Sequence, residues 1–248
     1  MCATAGNAAR HLTLVDQVVE NVYERIIRGR LKPGQRITED SLARDFGVSR
    51  TPVREAVKCL VEMGVIVAHR WTRLEVAAAD AEDIRQINEL RADLECLALN
   101  CALPRLDQAA MAELETLADR CRRLAQHAGK VEVFRADSGF HLAIARLGGN
   151  RHLLDVLTRL DVKVQLCRAF SCISIEKIRH SAAFHRLILE AMQAGDLALA
   201  KERMRLHIQG TTDGPRDVLR TGRRAPTARH RRRLPRCGGL PRILNMED

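Results

Sequence analysis

Aromatic residues are scarce in this 248-residue chain, at 3%, with one Trp, one Tyr and five Phe. A platform that stacks single-stranded bases needs exposed rings in number, so that mode of nucleic-acid binding is excluded. No apolar run reaches the ~18 residues that span a bilayer, so no membrane partner is expected. The N-terminus shows no basic stretch followed by an apolar core, so no secretory signal is evident. The eight Cys lack any C-x-x-C spacing; Cys96/Cys101 and Cys167/Cys172 stand five apart, which is not a zinc-finger pattern. Most lie among apolar neighbours and are expected to pack as small reduced hydrophobes, which makes the cytoplasm the natural location.

What the chain does have is charge and amphipathic helix. Hydrophobic residues make up 46% and charged residues 29%, as in a globular protein with a real core, and 248 residues suit roughly two domains. The net charge of +10 suits an anionic partner. Its distribution is uneven: from Gln209 onward ten Arg face four acids, so this tail supplies +6.

The most informative stretch is Thr38 to Gly64, TEDSLARDFGVSRTPVREAVKCLVEMG. Leu42, Ala43 and Phe46 make the apolar face of a first short helix, and Gly47 can take the left-handed conformation that ends it. Ser49 is placed to cap a second helix through its side chain. Pro52 falls in the first turn, where no needed hydrogen bond is lost. Val53, Ala56, Val57, Leu60 and Val61 then recur at helical spacing, leaving Arg50, Thr51, Arg54 and Lys58 outside. Two helices with a tight turn, the second opening on exposed Arg and Thr, match a helix-turn-helix that reads the DNA major groove. Leu14 to Ile27 predicts a supporting helix with Leu14, Val18, Val22, Ile26 and Ile27 inward. Val65-Ile66-Val67 and Leu74-Glu75-Val76 predict a hairpin wing tipped by His69 to Arg73, with Arg70 and Arg73 available to DNA.

The run from Gly29-Arg30-Leu31-Lys32-Pro33-Gly34 through Gly47-Val48-Ser49-Arg50-Thr51-Pro52-Val53-Arg54-Glu55-Ala56 resembles the winged helix of GntR-type bacterial transcription regulators. The resemblance implies DNA contacts from Arg50, Thr51 and Arg54, with Arg36 and Ser49 beside them. Two positions depart from it. Trp71-Thr72-Arg73 replaces the Gly common at the wing tip, and Asp40 stands where some members carry Arg.

Beyond Ala79 the periodicity is helical throughout and predicts an all-α antiparallel bundle. Asp80 to Ala102 shows Ile84, Ile87, Leu90, Leu94, Leu97, Ala98 and Cys101 as its inward pattern. Helices follow over Asp107–His127, Val131–Leu147, Leu153 to about Cys172 (with a break near Ser171), Ile175–Met192 and Leu197–Ile208. Asp137 and His141, four apart, share one inward face. His185 lies ten residues before Gly195 and His207 twelve after it, so an antiparallel turn at Gly195 sets them at nearly one level. One carboxylate and three imidazoles converging in a bundle suit a borderline divalent metal such as zinc or nickel, although a lone core His is more often simply hydrogen-bonded.

Asp137-x-x-Phe140-His141, then His185 ahead of Ala194-Gly195-Asp196, then His207, resembles the FadR C-terminal-type (FCD) effector domain. That domain is a helical bundle, many members of which hold a metal with one Asp and three His; all four positions are filled here. Arg91 and Arg168 are candidates for gripping the carboxylate of a small organic or sugar acid. Arg91 sits in Glu89-Leu90-Arg91-x-x-Leu94-Glu95, similar to the first helix of FCD domains, and its alternative role is an intrahelical pair with Glu95. Asn150 is expected to cap the helix that starts near Arg151.

The expected architecture is therefore mainly α: a winged helix-turn-helix at 10–77, an all-helical metal- and effector-binding and dimerisation domain at 80–208, and an Arg/Pro-rich disordered tail at 209–248. The expected function is a homodimeric, ligand-responsive regulator that binds a double-stranded operator and represses it. A metal sensor, with the ion as the signal, is one alternative; a metalloenzyme is another.

Overall fold

The computed structural model describes residues 12–69, 73–127, 129–170 and 174–210. Helix α1 (Leu14–Ile27) opens on a capping box: the Thr13 hydroxyl accepts from the Asp16 amide, and the Asp16 carboxylate accepts from that of Thr13, both at 3.1 Å. Strand β1 (Arg36–Ile37) leads to α2 (Glu39–Phe46) and α3 (Arg50–Glu62). Strands β2 (Ile66–His69) and β3 (Arg73–Val76) complete an antiparallel sheet in the order β1-β3-β2. Between α2 and α3, Gly47 has φ +64°, a left-handed turn that a side chain would strain.

The winged helix has its own core. Val18, Val22 and Ile26 of α1 meet Val53, Ala56 and Leu60 of α3, and Ile66 and Val76 close the sheet side. Its apolar set is completed from outside, by Val131, Val162 and Leu166 of the helical part.

That part is α4 (Ala81–Ala102), a 3-10 turn (Leu103–Arg105), α5 (Gln108–His127), α6 (Lys130–Leu147), α7 (Arg151–Phe170), α8 (Ile175–Gln193) and α9 (Leu197–Gly210). Asp80 caps α4 with a full capping box, and Asn150 Oδ1 accepts from the Leu153 amide at the start of α7. Gly195, at φ +72°, turns α8 back onto α9. Among the described residues no helix is long and apolar enough to cross a membrane.

Three expectations need correction, and one strand is added to them. Strand β1 was not legible, because two residues are too short to show a period of two. Ser49 stands at the N-cap of α3, but its side chain makes no capping bond, and Leu14 is exposed. The larger difference is in α4. Leu90 and Leu97, expected inward, are 52% and 44% exposed, while Arg91 and Glu95 are 3% exposed. The inward face of α4 carries a charge pair, and hydropathy alone ranks charged residues last for burial. The wing tip at 70–72, the break expected near Ser171 and the tail beyond Gly210 lie outside the described residues.

Leu60 is fully buried between α1 and α3. Leu60→Ala is expected to cost about 2–5 kcal/mol in urea unfolding through lost contacts and a partly unrelaxed cavity.

Candidate metal centre and DNA-reading face

Five helices deliver polar side chains to one point in the bundle. Helix α6 brings Asp137 and His141 on successive turns, α8 brings His185 and α9 brings His207. All four are buried, and one donor atom of each lies within 4.8 Å of the others. His141 Nε2 is 2.9 Å from His207 Nε2, and His185 Nε2 is 3.0 Å from Asp137 Oδ1. His207 Nε2 lies 3.5 Å from the same oxygen. Phe140 stacks on His185 at 4.2 Å between ring centroids and seals the apolar side.

The surrounding charges set the state of each ligand atom. Asp137 Oδ2 faces Arg168 Nη1 at 2.6 Å and Arg91 Nη2 at 3.6 Å, which leaves Oδ1 toward the imidazoles. Burial opposes the Asp137 charge, but Arg168 and His141 outweigh it and hold the carboxyl well below its usual range. Burial pushes His207 down to about 3 and lowers His185, which favours the neutral ring that a metal ligand must be. Glu95 Oε2 accepts from His141 Nδ1, since a carboxylate can only accept. That bond fixes the ring so that Nε2 points into the cluster. Glu95 is resisted by burial, yet His141 and Arg91 bring it down to about 2; its charge in turn raises His141 against the effect of burial.

These residues fit a divalent metal. Two ligands each about 2.1 Å from one ion stand about 3 Å apart at right angles, and the nitrogen and oxygen separations above are of that order. Two buried imidazole nitrogens face each other at 2.9 Å with only a proton or a cation to share. Glu95 behind His141 is the carboxylate partner that metal-bound imidazoles commonly have. Sequence reading paired Glu95 with Arg91, which it does contact at 2.6 Å, but missed this second contact; nothing in the spacing from α4 to α6 signals it.

Two cavities flank the cluster. One, about 20 Å³, is lined by Asp137, Arg168, Lys177 and Ser181; the other, about 10 Å³, by Arg91, Glu95, His141 and Asp161. Each has room for about one water. Arg91 and Arg168 thus reach the cluster from α4 and α7 and already hold Asp137. Sequence reasoning also missed Asp161, which accepts from Ser138 Oγ at 2.6 Å, and Gln165, which donates to the Phe134 carbonyl at 3.0 Å.

At the other end of the molecule Arg36, Ser49, Arg50, Thr51, Arg54 and Arg73 are all exposed; Arg70 lies outside the described residues. Arg50 and Arg54 are one turn apart on α3. The profile of bacterial regulatory proteins of the gntR family matches residues 14–75, and that of the FCD domain matches residues 86–210. The chain belongs to the GntR family and carries an FCD domain.

Its relatives are similar over most of their length. The HTH-type transcriptional regulator McbR of Escherichia coli is 26% identical over 75% of this chain and 86% of its own. The probable D-xylose utilization operon transcriptional repressor of Paenarthrobacter nicotinovorans is 27% identical over 84% and 91%. The solved structure of E. coli McbR/YncC covers 80% of this chain and 95% of its own, at TM-score 0.68 and 26% identity. A putative GntR regulator from Rhodococcus sp. RHA1 shares the fold at TM-score 0.67. This GntR protein is therefore a DNA-binding transcription regulator with an FCD effector domain, and not an enzyme.

Glu95→Gln keeps the four candidate ligands but weakens the support of His141. Metal affinity, measured by competition with a chromophoric chelator, is expected to fall about 10–100-fold. His207→Ala is expected to abolish stoichiometric metal in dialysed protein.

Proposed function

We propose that this GntR regulator is a homodimeric repressor whose FCD domain holds a divalent ion, zinc or nickel, on Asp137, His141, His185 and His207, and responds to a small carboxylate or sugar acid. The observation that carries this reading is the buried cluster of Asp137, His141, His185 and His207, with one donor atom of each within 4.8 Å of the others. A cation there supplies a Lewis-acid anchor for a carboxylate or hydroxyl oxygen. Arg91 and Arg168 supply the second grip, because a guanidinium matches a carboxylate in a planar fork. Both arginines now share Asp137, so acid binding re-partitions contacts that already exist.

Helix α7 supports the coupling to DNA. It carries Arg168 and Asp161 toward the cluster, while Val162 and Leu166 enter the winged-helix core. A shift of Arg168 is thereby carried to the packing under α1 and α3. Dimerisation follows from recognition: one winged helix reads few base pairs, and two half-sites supply useful specificity. Arg36, Ser49, Arg50, Thr51, Arg54, Arg70 and Arg73 are the proposed DNA contacts, and the cytoplasm, where the operator lies, is the proposed location.

The small cavities favour one second reading, in which the ion itself is the signal. Thermal melting of metal-loaded protein against a panel of carboxylic and sugar acids, repeated after chelation, separates the two. An acid effector is expected to raise the melting temperature and lower operator affinity only with metal present. A change in operator affinity on chelation alone, with no acid active, would sink the acid-effector reading in favour of the sensor. Arg54→Ala is expected to weaken operator binding at least about 5-fold with an unchanged melting temperature, in line with loss of one base or phosphate contact.

A further inference from the structure

The DNA-reading face is poorer in net charge than the whole chain suggests. Between Leu12 and Ala77 eleven Lys and Arg stand against nine Asp and Glu, a net of +2 within a total of +10. The acids are also placed against the arginines that should meet DNA. Arg50 Nε lies 2.8 Å from Asp40 Oδ1, and Arg54 Nε lies 3.5 Å from Glu39 Oε2. On the wing, Arg73 pairs with Glu75, which also meets His69 Nε2 at 3.2 Å.

Stability does not account for these pairs. The side chains of Arg50 and Asp40 are 70% and 55% exposed, and exposed pairs contribute little. Glu39 and Asp40 do complement the N-terminus of α2, but any acid in that turn would, without standing opposite the first and second turns of α3. For an arginine that only binds phosphate, an adjacent carboxylate is a handicap, because it repels the backbone. For an arginine that reads a base it is an aid. A guanidinium meets guanine O6 and N7 through two N–H groups in a fixed plane. A carboxylate on Nε holds that plane and leaves Nη1 and Nη2, the outer edge of the fork, for the base. It also removes part of the rotamer freedom that a long side chain loses on binding.

We infer that Asp40 is a positioning residue for DNA reading: it holds Arg50 through Nε for a guanine edge, and its charge suppresses sequence-independent binding to phosphate. Glu39 serves Arg54 in the same way at longer reach. This inference rests on the proposed entry of α3 into the major groove.

The test is selection from randomised duplexes with the full-length wild type, Asp40→Ala, Asp40→Asn and Arg50→Ala. Each protein is then titrated with the wild-type-selected duplex, that duplex with one guanine replaced, and a scrambled duplex, at two salt concentrations. Arg50→Ala is expected to lose one guanine preference in each half-site. Asp40→Ala is expected to keep its melting temperature, to lose at least about 5-fold in discrimination at that same guanine, and to bind scrambled duplex more tightly, most clearly at low salt. Asp40→Asn, which keeps an acceptor oxygen without the charge, should gain scrambled-duplex affinity while retaining part of the preference. If Asp40→Ala changes all affinities by one common factor, Asp40 only repels phosphate and the inference is overturned; it is equally overturned if nothing changes. If Arg50→Ala selects the wild-type sequence, the placement of Arg50 on a base has failed, and the inference with it.

Discussion

The helical part is organised around keeping one carboxylate charged inside protein. Asp137 is 4% exposed, and an unpaired charge at such a site costs several kcal/mol. Its charge is held by Arg168 on α7, Arg91 on α4, and imidazoles on α6, α8 and α9. Each partner comes from a fixed helix face, so the arrangement dictates the rotation of every helix that touches it. The turn of α4 that leaves Leu90 and Leu97 outside follows from this. Arg91 and Glu95 must face Asp137 and His141, and leucines one residue before Arg91 and two after Glu95 are carried to the far side. A metal held there would add to the same scheme, as one more cation facing the Asp137 carboxylate among the three imidazoles.

Helix α7 belongs to two cores at once. Leu153 and Leu157, near its start, pack in the bundle, while Val162 and Leu166 complete the apolar set beneath α1 and α3. Between and beside them sit Asp161, Gln165 and Arg168, the polar contacts to α6. Packed interiors do not stretch, so a displaced α7 must be accommodated on both sides. The exposed Arg28–Glu132 pair, at 3.0 Å between α1 and α6, adds alignment and little energy. The two parts are thus joined by packing that each needs for its own stability.

The distribution of charge follows a different logic at the two ends. In the bundle, opposite charges are paired because burial leaves no alternative. On the winged helix they are paired in water, where energy does not require it, and the net charge of that region is small. Most of the chain's net positive charge, +6 of +10, lies instead in the Arg-rich stretch from Gln209 onward.

Local signals determined much of this in advance. The cap at Asn150, the left-handed Gly47, the turn at Gly195, and the apolar periods of α1 and α3 are short-range physics, written in a few consecutive residues. So was the level of His185 and His207, because an antiparallel hairpin converts equal counts into equal heights. What the tertiary structure decided are contacts between residues far apart in the chain. Glu95 meets His141 across 46 positions, Asp161 meets Ser138 across 23, and Val162 enters the core of a winged helix that begins with α1. The same holds for Asp40 against Arg50, on two helices whose spacing is known but whose facing side chains are not. The reason is physical. A helix's own period says which of its faces is apolar, but a charged residue is buried only when its partners arrive from other helices. Those partners are fixed by packing and not by spacing.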